Sequence, residues 1–130
     1  CDPNDDNAIT ATSAVGCAAT AEAMGPEAAY VNQPNAESRY QDVSGGDSPF
    51  DNVNDYHGFA MAGIRAIDAS ATVLPGLGVY SANVAIAEAG AAFGLAAGDA
   101  LQINVRVTGP GGTDITLTGY RVRYAPNAAG

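Results

Sequence analysis

The chain has 130 residues and a formal net charge of −9, with five Arg, no Lys and 14 Asp plus Glu. That balance argues against nucleic-acid binding, because five arginines among 14 acids cannot assemble a face basic enough to displace phosphate counterions. It argues equally against electrostatic attachment to an anionic membrane surface. The length suits one domain with one core, residues 1–130. Leu, Ile, Val and Phe make up less than a fifth of the chain, and about half of them fall between Leu77 and Val122. The core is therefore expected in the second half.

In chain order, residues 1–75 read as loop-rich with at most a short helix. The opening Cys1-Asp2-Pro3-Asn4-Asp5-Asp6-Asn7 is acidic and turn-forming. Ala18–Met24 has the composition of a short helix stopped by Gly25-Pro26. Residues 25–56 hold Pro26, Pro34, Gly45-Gly46 and Pro49 among many Asn and Asp, with no sustained periodicity. A loop of that length in a compact domain is usually functional or pinned by its neighbours.

Residues 76–125 read as an antiparallel sheet. Val79–Glu88 carries Tyr80, Ala82, Val84 and Ile86 on one parity, a half-buried strand. A Gly/Ala connection follows over Ala89–Asp99. Leu101–Val107 alternates apolar and polar residues without fault, the clearest strand in the chain. Thr108-Gly109-Pro110-Gly111-Gly112 supplies a turn rich in residues that permit positive φ. On the return strand Ile115 and Leu117 lie on one parity, and Tyr120, Val122 and Tyr124 on the other. Keeping all five on one face requires an extra residue, so a β-bulge is expected near Gly119. The alternative is that the tyrosines face solvent. The fold class is α+β, mainly β: a meander of at least three antiparallel strands with a loop-rich N-terminal half.

Cys1 and Cys17 are the only cysteines and match no zinc, haem or redox spacing. A disulfide between them closes a loop of about 15 residues, worth roughly 3 kcal/mol by chain entropy, and implies an oxidising, extracytoplasmic compartment. No enzyme is expected. His57 is the single histidine, no Gly-x-Ser-x-Gly turn exists, and no Gly-rich phosphate loop follows a strand. No catalytic residue is assigned. Calcium is the one cofactor the composition suggests. Asp2, Asn4 and Asp6 occupy the first, third and fifth positions of a loop like the start of an EF-hand, although Asn7 and Ser13 stand where Gly and Glu belong. Asp51, Asn52 and Asp55, with Asn54 between them, form a second oxygen-rich cluster. Side-chain hydrogen bonds to the loop backbone account for both groups without a metal.

The run Phe50-Asp51-Asn52-Val53-Asn54-Asp55-Tyr56-His57-Gly58-Phe59 resembles a block found in MSHA-type minor pilins, the MshD-like group of type IV pilus biogenesis proteins. The opening Cys1–Asn7 segment, Gly25-Pro26-Glu27, and the closing pair Val105–Gly112 and Leu117–Arg121 are similar to other blocks of that group, in the same order. The resemblance implies a pilin-like head, held by a hydrophobic N-terminal helix that these 130 residues do not contain. It implies inner-membrane anchoring before assembly and a cell-surface filament afterwards. Its partners would be other pilins or pseudopilins, with the membrane contacted only through that missing helix. Phe50, Asp51, Val53, Asp55, Tyr56, His57 and Gly58 then form a structural motif that folds the loop onto the sheet, or a subunit contact. The expected function is a structural part of a type IV pilus or related secretion filament. The alternative is a calcium- or ligand-binding adhesive module at the cell surface.

Overall fold

The computed structural model of the chain describes residues 23–29, 35–39, 48–68 and 70–122. Four strands, β1 (Ala60–Ala62), β2 (Ser81–Glu88), β3 (Ala100–Thr108) and β4 (Asp114–Val122), form one antiparallel sheet in the order β1-β2-β3-β4. Among the described residues the helical pieces are short 3-10 turns, so the architecture is mainly β. No helix among them is long and apolar enough to cross a membrane. The expected Cys1–Cys17 bridge, the Asp2/Asn4/Asp6 loop, Tyr124 and most of the Ala18–Met24 helix lie outside the described residues. Ala23 and Met24 are described, and they are not helical.

The alternation in β3 sets the two faces of the sheet. Ala82, Val84 and Ile86 of β2 pair with Val107, Val105 and Ile103, and Ile115 and Leu117 of β4 pair with Val107 and Val105. These side chains share one apolar face. The opposite face is a polar ladder. Thr118 Oγ1 donates to Asn104 Oδ1 at 2.6 Å, and Gln102 Nε2 donates to Tyr120 Oη at 2.7 Å. Near the hairpin, Arg106 grips Asp114 through Nε–Oδ1 (2.8 Å) and Nη2–Oδ2 (2.6 Å). These hydrogen bonds hold the Asp114 carboxyl below its ordinary range.

The bulge expected at Gly119 is absent. Ile103 pairs with Gly119 and Gln102 with Tyr120 in unbroken sequence along the ladder. The parity switch is therefore a true change of face, and Tyr120 sits on the polar side. Its hydroxyl finds Gln102 there, while its ring meets Phe93 edge-on at 5.4 Å. A tyrosine has an apolar body and a polar tip, so it did not need the apolar face that the parity argument reserved for it.

The connections use glycine where the backbone demands it. In the β3–β4 hairpin Gly111 and Gly112 take φ of 68° and 79°, and Thr113 closes the turn by donating through N and Oγ1 to the Pro110 carbonyl. Between β2 and β3, Gly90–Phe93 and Ala97–Asp99 are single 3-10 turns. They bring Ala89 N–H to the Ala100 carbonyl at 2.7 Å. Among the described residues the buried apolar side chains are Ile86 and Ala100. Burial elsewhere is of an unexpected kind: three carboxylates are also buried, and all three lie in the first half of the chain.

Candidate functional site

The block Phe50–Phe59 folds around its own side chains. Asn54–Tyr56 is a 3-10 turn. The Asp55 carboxylate reaches back to accept the N–H groups of Asp51 (2.9 Å) and Asn52 (2.6 Å) through Oδ2. Short polar side chains bond nearby backbone in this way, which is why such residues suit turns. Phe50, Tyr56 and Phe59 meet edge-on with ring centroids 4.9 to 6.3 Å apart, and the Arg39 guanidinium lies 5.9 Å over the Phe59 ring.

Backbone hydrogen bonds hook this block to β2. Gly58 donates to the Val84 carbonyl at 3.0 Å, and Val84 donates to the Phe59 carbonyl at 2.9 Å. His57 Nδ1 accepts the Ile86 N–H at 3.1 Å. The imidazole thus completes the pairing where the chain leaves the strand register, with Gly58 turning at φ 79°.

Two further loop segments converge on the block. Residues 35–39 run beside 48–50 through the Ser38–Pro49 bridge, with Ser38 donating to Ser48 and Phe50 donating to Ser38. Residues 23–29 join through Gly25 N–H to the Asn54 carbonyl at 3.1 Å, and through Asn54 Nδ2, which donates to the Ala23 carbonyl. Glu37 N–H donates to the Glu27 carbonyl at 3.0 Å, and Glu27 N–H returns to Glu37 Oε2 at 3.1 Å. Glu27 Oε1 accepts the Ala23 N–H at 2.9 Å.

The result is a knot of three carboxylates. Glu27, Glu37 and Asp55 are 5%, 8% and 0% exposed, and each offers one oxygen within 4.8 Å of the other two. Glu37 Oε1 is buried with no hydrogen-bond partner. Burial above all pushes the Glu37 carboxyl from 4.5 up to about 8. A hydrogen bond with the Glu27 side chain and the charges of Asp55 and Glu27 act in the same direction, against the Glu27 N–H, which favours the charged form. A group this enclosed holds a proton or an ion more readily than it meets a substrate.

The raised value carries a prediction for the metal-free chain. A carboxyl that ionises near 4.5 when unfolded and near 8 when folded contributes fully below 4.5. Its contribution is lost as pH climbs toward 8, because only the unfolded chain releases the proton over that window. In excess chelator the melting temperature should fall between pH 5 and 8. Glu37→Gln should flatten that fall, and an unchanged slope in the variant would place its cause elsewhere.

The structure places Asp55 in this group, and Asp51 outside it. Asp51 and Asn52 both give Asp55 their backbone N–H groups. Glu27 and Glu37 were missed as site residues. Glu27 stood out only within Gly25-Pro26-Glu27, and Glu37 had no local signal at all. Compared with protein-family models, curated proteins and solved structures, the chain matches none.

Proposed function

We propose that the chain is the globular head of a pilin-like subunit, a structural component of a type IV pilus or related secretion filament that acts by protein–protein contacts outside the cytoplasm. The observation that carries this reading is the open apolar face of the sheet. Ile115 and Leu117 share their face with buried Ile86, yet they are 55% and 68% exposed. They sit on β4, which has no neighbour beyond it in the sheet among the described residues. A contiguous apolar face that a domain leaves uncovered marks a contact surface, and an unpaired edge adds to the need for a cover. The resemblance of Phe50–Phe59 and of the closing strand pair to minor pilins supports the same reading.

Two replacements test it. Leu117→Arg and Ile115→Arg should leave the melting temperature within a few degrees, since exposed positions cost at most about 0.5 kcal/mol. In the native host they should reduce recovery of the protein in sheared filaments by about tenfold or more. Full incorporation of both variants would remove the contact surface from the account. Mass spectrometry of the natural chain should also find an apolar segment with a methylated N-terminus upstream of Cys1. An ordinary secretory cleavage at Cys1 would instead favour the free adhesive module.

A further inference from the structure

We propose that Glu27, Glu37 and Asp55 form a site for a divalent cation, and that calcium is the ion it takes. Three segments far apart in sequence deliver three carboxylate oxygens to within 4.8 Å of one another. Deep inside a protein, like charges at that spacing repel strongly. The backbone donors present answer only part of this. Glu27 Oε1, Glu37 Oε2 and Asp55 Oδ2 accept N–H groups from Ala23, Glu27, Asp51 and Asn52. Glu37 Oε1 is left buried with no hydrogen-bond partner, on a side chain that is only 8% exposed. A buried carboxylate oxygen without a donor, beside two further carboxylates, is a position that a proton or a cation fills.

The donor set selects the class of ion. All three ligands are carboxylate oxygens, without the imidazole or thiolate that zinc and copper favour. Oxygens on one calcium ion sit about 2.3–2.6 Å from it, so two of them can stand up to about 5 Å apart. The three oxygens lie within 4.8 Å of one another, inside that limit. Magnesium demands near-ideal octahedral geometry and gives up its waters reluctantly. A buried site made of carboxylates therefore favours calcium. The ion would tie residues 23–29, 35–39 and 51–55 together and fasten the loops to the block that is hooked onto β2.

The test uses the full chain stripped with chelator, titrated with calcium by calorimetry and melted with and without the ion. One saturable site is expected. The melting temperature should rise with the logarithm of calcium concentration once the site is filled, as for any ligand that binds only the folded state. The rise with magnesium should be smaller. Glu37→Gln keeps an oxygen for the Glu27 N–H and supplies an amide donor to its neighbours. It should fold, melt at or above wild type in chelator at pH 7.5, and bind calcium at least tenfold more weakly. Glu27→Gln serves as a second variant, with the same loss expected. No calcium-dependent heat or melting shift in the wild type would overturn the proposal. So would affinity unchanged in both variants, and so would binding abolished instead by Asp2→Asn with Asp6→Asn.

Discussion

Gly90→Ala should be the most damaging added methyl group in the described part of the protein. A Cβ built on Gly90 falls 1.7 Å from the Ala96 carbonyl oxygen and within 3 Å of two more backbone atoms, Ala96 C and Ala97 O. A clash with a side-chain tip is relieved by a rotamer change, but here the obstacle is the turn itself. Gly90 opens the first 3-10 turn of the β2–β3 connection, and its carbonyl accepts the Leu95 N–H at 3.0 Å. The connection must be rebuilt to admit the methyl group, at about 3 kcal/mol or more.

Two other glycines set the scale. Gly94 has open space around it but takes φ of 71°, so alanine there should cost about 1 kcal/mol. Gly119 has open space and no positive φ, and alanine there should be neutral or stabilise by up to about 1 kcal/mol. Chemical denaturation of the three variants gives the order directly. A Gly119→Ala variant as unstable as Gly94→Ala would contradict the continuous β3–β4 register.

The second large effect belongs to Asp55. Replacement by alanine removes the acceptor for two N–H groups from a side chain that is fully buried. Leaving such donors unsatisfied costs about 1–3 kcal/mol each, whereas losing one of three crowded charges returns part of that. The net should be about 2–4 kcal/mol of destabilisation for Asp55→Ala. Asp55→Asn keeps an oxygen for both donors and removes the same charge, so in chelator it should melt within about 1 kcal/mol of wild type. Equal destabilisation by the two replacements would mean that the charge, not the hydrogen bonds, holds the turn.

These two positions also mark the boundary between what could and could not be read before the fold was known. The β3–β4 hairpin was legible because everything that defines it is local: the alternation over Leu101–Val107, the glycines of the turn, and a return strand of matching length. β1 was not legible. Ala60-Met61-Ala62 has no β-branched residue, and it is a strand because the edge of β2 offers partners to Ala60, Met61 and Ala62. The error at Gly119 came from counting tyrosine as apolar when its hydroxyl had a use on the other face.

The candidate site divides along the same line. Asp55 and its block attracted attention because turn-forming and oxygen-bearing residues crowd into a few positions. Its actual companions, Glu27 and Glu37, stand 28 and 18 residues away, in segments without periodicity.

What the sequence determined by itself is the mainly β architecture, the position of β2, β3 and β4, and the turn between the last two, because alternation and turn chemistry act between near neighbours. What only the tertiary structure decided is which acids meet. Much of what brings the loop segments together is backbone hydrogen bonding, as from Gly25 to Asn54 and from Glu37 to Glu27. Such bonds join groups that every residue except proline carries, so they leave no mark in the order of side chains.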